Sequence, residues 1–80
     1  MRAVINVYLK NGVLDSQGKA VHHSLNSLGF EQVSDVRIGR QIVLKLDSSD
    51  SETAQKEATQ MCESLLANTV IEEYEIKIEA

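Results

Sequence analysis

Apolar residues recur along this chain with two periods, and the switches between them divide it into six segments. Residues 3–10, AVINVYLK, are rich in β-formers and carry apolar side chains on both faces, with Val4 and Tyr8 on one and Ala3, Ile5, Val7 and Leu9 on the other. That is how a central strand reads. Asn11-Gly12 ends it, and Asp15 stands where a carboxylate caps the free N–H groups of a first helical turn. A helix is predicted over residues 16–28, with Val21, Leu25 and Leu28 at i, i+4 and i+7 forming a face that docks on a sheet. Gly29 follows as a left-handed stop, with Phe30 as the hydrophobic contact of that cap.

The stretch 33–46, VSDVRIGRQIVLKL, predicts a hairpin pivoting at Gly39-Arg40. A two-residue turn would set Arg37 against Ile42 and put a charge on the apolar face. A three-residue connection pairs Ile38 with Ile42 and Val36 with Leu44, and a one-residue slip flips every side chain, so the second register is preferred. Beyond it, Ser49 and Glu52 have capping-box spacing, which starts a second helix near Asp50. Ala54, Ala58, Met61, Cys62, Leu65 and Leu66 form its single apolar face, and it stops at Ala67-Asn68. In residues 72–79, Tyr74, Ile76 and Ile78 alternate with Glu73, Glu75, Lys77 and Glu79, which suits an edge strand guarded by charge. The order β-α-β-β-α-β predicts an α+β, ferredoxin-like domain over residues 1–80. Its antiparallel four-stranded sheet would carry both helices on one face.

Eighty residues make a marginal core, since a chain of this size buries only about 60% of its unfolded surface, and oligomerisation is a common remedy. A single cysteine, Cys62, has no partner in the chain and fits a reducing, cytoplasmic compartment. The apolar runs are too short for a membrane span or signal peptide. Eight Lys and Arg against twelve Asp and Glu give a net charge of -4, which disfavours nucleic acid. With only Tyr8, Phe30 and Tyr74 as aromatics, a protein surface is the expected partner.

Chemistry-bearing residues are few. His22 and His23 are adjacent on the first helix, about 100° apart, and cannot converge on one ion as an i, i+4 pair would. Cys62 lies on an apolar stripe beside Glu63, whose sign does not activate a thiol. Asp15, Gln17 and Gly18 cluster where a strand enters a helix, and read either as a helix cap or as a contact site. Arg40 at the hairpin tip is either solvated or a bidentate donor to a carboxylate or phosphate on a partner. An RNA-recognition domain would need stacking aromatics on its third strand, and residues 41–46 have none. A copper chaperone would need CxxC after the first strand. A small-molecule-binding regulatory module of the ACT type remains an alternative.

Three segments in order, LDSQGKAV at 14–21, VRIGR at 36–40 and LLANTVIE at 65–72, resemble the PurS family. PurS is the small subunit of multi-subunit phosphoribosylformylglycinamidine synthase, and the resemblance spans essentially the whole chain. It implies a non-catalytic adaptor in purine biosynthesis, with no catalytic, cofactor or metal residue in this chain. ATP and magnesium would be bound by a PurL synthetase, and glutamine would be hydrolysed by a PurQ glutaminase. The adaptor would join the two as a homodimer and support ammonia transfer between them. The assembly contacts implied are Asp15, Gln17, Gly18, Arg37, Gly39, Arg40, Asn68 and Thr69. Ser16 stands where the family pattern has proline. Proline at a first helical position has φ preset, so serine is expected to loosen the helix start slightly.

Overall fold

Residue parity in the first strand decides what the sheet buries. In a computed structural model covering residues 1–80, β1 (Arg2–Leu9) is the central strand, flanked by β2 (Gly39–Lys45) and β3 (Glu72–Glu79) in the order β2-β1-β3, all antiparallel. Ala3, Ile5 and Val7 are fully buried on one face. Cross-strand pairing sets Ala3 between Leu44 and Ile78, and Ile5 between Ile42 and Ile76. The other face carries mostly polar side chains beside Val4, Val43 and Tyr8. There Asn6 donates to Glu75 at 3.2 Å and accepts from Gln41 at 2.9 Å, while Arg2 holds Glu79 across the strands.

One helix covers the apolar face. Helix α2 (Ser51–Met61) presents Ala54 and Ala58, both buried, and these small side chains let the helix lie close to β1 and β3. Its cap is Asp50 and not Ser49: the Asp50 carboxylate accepts from Glu52 N and from Thr53 Oγ1 at 2.7 Å. A π-helical turn (Cys62–Leu66) follows, closed by Ala67 N donating to Cys62 O, five residues back. The extra residue rotates the stripe by about 100°. Cys62 and Ala67 are buried and Leu66 packs on the core, but Leu65, predicted to face inward, is 83% exposed.

The helix predicted over residues 16–28 forms as α1 (Ser16–Ser27) and ends in a complete Schellman motif. Gly29, at φ +97, donates to Asn26 O, and Phe30 N donates to Leu25 O. Its placement differs from expectation. It lies away from the sheet and from α2, Gly18 is its one buried residue, and Leu28 is 73% exposed.

The predicted fourth strand and hairpin do not form within the chain. Residues 33–38 lie outside the sheet, and Gly39-Arg40, expected to be the turn, instead begin β2 opposite Tyr8 and Val7. The reason is local. Ile38 N donates to Asp15 Oδ2 at 2.9 Å, and Gly39 lies so close to β1 that a Cβ there would be 2.6 Å from Val7 O. Residues 33–38 therefore stay with α1, where His22 Nε2 donates to Val33 O at 2.8 Å. The sheet is three-stranded, with one helix on its apolar face.

The chain thus comprises a body of three strands and α2, and an arm of α1 with residues 28–38. It measures 48 × 26 × 14 Å, with a radius of gyration of 15.9 Å. A compact chain of this length would have a radius of gyration of about 12 Å. No helix is long and apolar enough to cross a membrane.

Candidate subunit interface

Asp15 is the joint between arm and body. Its Oδ1 accepts from Gly18 N at 2.8 Å and its Oδ2 from Ile38 N, so one carboxylate caps α1 and fastens the incoming strand segment. The bond from Ile38, then that from Gly18, hold its carboxyl below the ordinary aspartate range. Gly18 is required by proximity: a Cβ would lie 2.5 Å from Val36 O, a backbone atom. Asp15 and Gly18 therefore turn inward to set the arm's position, and Gln17 beside them is exposed.

Arg37 spans the same joint. Its guanidinium stacks 4.4 Å from the centre of the Tyr8 ring, donates to Leu9 O and reaches Glu73 at 3.2 Å. Arg40 makes a denser set of bonds. Nη1 donates to Glu72 Oε2 at 2.7 Å, and Nη2 donates to Leu66 O at 2.6 Å and Glu72 Oε1 at 3.1 Å. Glu72 Oε1 also accepts from Asn68 N at 2.7 Å. The Arg40 bond, then the Asn68 N–H, hold the Glu72 carboxyl below its ordinary range, and the same pair raises the Arg40 pKa.

The turn between the π-helical turn and β3 is braced from both sides. Lys10 Nζ donates to Thr69 O at 2.8 Å and Lys10 N to Ile71 O, while Asn68 Oδ1 accepts from Val70 N. The braced turn presents Val70, 81% exposed. A shallow depression brings Asp15, Gln17, Gly39, Arg40 and Glu72 together at this end of the sheet. Asn68 joins them through Glu72, Thr69 lies in the braced turn, and Arg37 lines an adjoining depression with Tyr8, Gly39 and Arg40.

All eight positions named from the sequence thus lie around the end of the sheet where the arm joins the body, with different tasks. Arg40 and Asn68 form one network, Asp15 and Gly18 form the joint, and Gln17 is exposed at the rim. The sequence reading missed Glu72, the acceptor on which Arg40 and Asn68 converge. It was the last residue of LLANTVIE, and its neighbourhood with Arg40 is a product of the β1 register with β2 and β3. Tyr8, Lys10 and Glu73 were missed for the same reason.

The Cys62 thiol is buried, and burial followed by the Glu63 charge raises its pKa. Tyr74 Oη donates to Glu63 Oε2 at 2.6 Å, and that bond pushes the phenol up to about 12. His22 is engaged with Val33 O, and no three His, Cys, Asp or Glu side chains are gathered as a metal ion would need.

Residues 2–80 match the family model for PurS, phosphoribosylformylglycinamidine (FGAM) synthase. The PurS subunit of phosphoribosylformylglycinamidine synthase from Bacillus subtilis is 47% identical over 75 residues, 94% of this chain and 88% of that one. The PurS subunit from Synechocystis is 49% identical over 76 residues, 95% of this chain and 76% of that one. Among solved structures, Methanocaldococcus jannaschii PurS superposes with a TM-score of 0.88 at 38% identity, covering 98% of this chain and 94% of that one. A chain of the PurLQS structure from Thermotoga maritima superposes with a TM-score of 0.87 at 30% identity, covering 95% and 93%. With residues 2–80 matched by the family model and relatives 47% and 49% identical over at least 94% of the chain, this chain belongs to the PurS family and is a PurS subunit of FGAM synthase.

Proposed function

We propose that this chain is the non-catalytic adaptor of the synthase, a homodimer that bridges a PurL-type synthetase and a PurQ-type glutaminase and supports passage of ammonia between them. The observation that carries this reading is its likeness, over 95% of its length, to a chain of the Thermotoga maritima PurLQS structure. The end of the sheet where the candidate residues gather supports it. Arg40 and Arg37 are matched there by Glu72 and Glu73, and their bonds stiffen a surface without making a reactive centre. A stiff surface holds two enzymes in register with little ordering cost on association.

In this reading ATP and magnesium belong to the synthetase, glutamine to the glutaminase, and the chain works in the cytoplasm. The test is size-exclusion chromatography of the chain with PurL and PurQ of the same organism, with ATP, magnesium and glutamine present and then omitted. Co-elution of all three is expected; failure to associate under every condition overturns the proposal. A thermal-shift screen of the chain alone separates it from a small-molecule-binding module. A module would gain about 2.7 kcal/mol at a hundredfold ligand excess over Kd, and the adaptor is expected to gain nothing.

A further inference from the structure

Of the asparagines in this chain, Asn11 alone precedes a glycine. The side chain of Asn6 is bonded to Gln41 and Glu75, that of Asn68 accepts from Val70 N, and Asn26 lies within α1 ahead of Ser27. Asn11 and Gly12 are both exposed, and the Asn11 side chain is not hydrogen-bonded. The two residues form the corner of a turn that Val13 N closes on Lys10 O at 3.1 Å. Gly12 has φ +89, the left-handed conformation that the third position of a type II turn requires. Neither Asn11 O nor Gly12 N takes part in a backbone hydrogen bond, so the peptide plane between them can rotate without breaking one. Glycine accepts either sign of φ, and a Cβ at Gly12 would meet nothing within 4 Å, so no neighbour obstructs the rotation.

We propose that Asn11-Gly12 is a site of spontaneous covalent modification, a linkage that forms a cyclic imide in the native fold. Solvent hydroxide takes the proton of Gly12 N, and that nitrogen attacks Cγ of Asn11. The N–Cγ bond closes the ring, the Cγ–Nδ2 bond breaks, and Nδ2 leaves as ammonia with a proton from water, which restores the hydroxide. Water then opens the imide at one of its two carbonyls. Opening at Cγ yields aspartate. Opening at the main-chain carbonyl yields isoaspartate, in which the backbone runs through the former side chain and is one carbon longer. Water is the only co-reactant.

Either product adds one negative charge to a chain of net charge -4. Isoaspartate also alters the connection between body and arm. It stands between the end of β1 at Leu9 and the joint at Asp15, and Asn11, Gly12 and Asp15 line one depression. The extra carbon disrupts the turn that the Val13 N–Lys10 O bond closes, and so loosens the joint from the side of β1.

The test is incubation of the full chain at neutral pH in water labelled with heavy oxygen, followed by peptide mapping. Labelled isoaspartate and aspartate are expected together at position 11, with loss of both in Asn11→Gln. Asn6, Asn26 and Asn68 are expected to stay intact. Aspartate without isoaspartate would indicate direct hydrolysis and overturn the imide. Asn11 left intact after a time in which the urea-unfolded chain has converted would show that the fold protects it, and equal conversion at the other asparagines would remove its distinction; either result overturns the proposal. The isoaspartyl form, separated by ion exchange, provides a second reading. Faster amide exchange at Val13 is expected, and unchanged exchange overturns the loosening of the joint.

Discussion

The body and the arm carry apolar stripes of the same kind, yet only the body's are covered. Ile5, Val7 and Ala58 are wholly inaccessible, whereas Leu28 and Phe30 are 73% and 58% exposed. The difference lies in what each stripe meets. In the body, β1 is bonded on both sides and α2 closes over it. In the arm, the Asp15–Ile38 bond and the Gly39 approach to β1 direct the chain away from the sheet. A stripe of this kind records that a face is to be buried, not which molecule buries it.

Substitutions should separate the two regions. Ile5→Ala empties the centre of the body and is expected to cost about 2–5 kcal/mol, read by urea unfolding. A cost below about 1 kcal/mol would mean that the body is not the folded core. Gly18→Ala comes next. Alanine raises helix propensity by up to about 1 kcal/mol, but the added methyl meets the Val36 carbonyl, and overpacking of that kind costs about 1–3 kcal/mol. The clash should win, with net loss of stability and of amide-exchange protection at Ile38. A stabilised protein would show that α1 and residues 33–38 are not held together.

Arg40→Glu probes the network shared by β2 and β3. The pair with Glu72 is half exposed on the arginine side, so the isolated chain should lose no more than about 1 kcal/mol. Binding to the partner enzymes should weaken roughly tenfold or more, the equivalent of about 1.4 kcal/mol. Full complex recovery at limiting concentration would remove Arg40 from the interface.

The smallest effect is one of pH. The Glu72 carboxyl titrates below the ordinary glutamate value of 4.5 because Arg40 and Asn68 N–H bond to its charged form. A depressed folded-state pKa contributes stability that is present above that ordinary value and is lost as pH falls through the depressed one. The turn at 67–71 should therefore loosen on acidification below pH 4.5, read from the Asn68 amide shift, and Glu72→Gln should abolish that step. A step unchanged in Glu72→Gln would assign it to another carboxylate.

Much of this was legible in the sequence. Two-sided apolarity marked β1 as central, alternating charge marked β3 as an edge, and Gly29-Phe30 gave the end of α1. What was not legible depended on contacts between distant segments. The second acceptor oxygen of Asp15 binds residue 38, and no spacing rule connects the two. The π-helical turn moved Leu65 outward because the closing bond spans five residues, which a 3.6-residue period does not foresee. The alternation at residues 36 and 38 holds, since both are half-buried, but no hairpin forms, because Asp15 binds Ile38 N and Gly39 enters β2 directly. At the candidate interface, Arg40 and Asn68 were found from motifs, whereas Glu72 emerged only when strand register placed it beside both.

The adaptor reading is tested most directly by the rate of FGAM formation by PurL and PurQ as this chain is titrated in, with glutamine and then free ammonia as nitrogen source. The glutamine-driven rate should rise with added chain until a fixed stoichiometry is reached, while the ammonia-driven rate should change little. Glutamine-driven synthesis that runs equally fast without the chain would contradict the account.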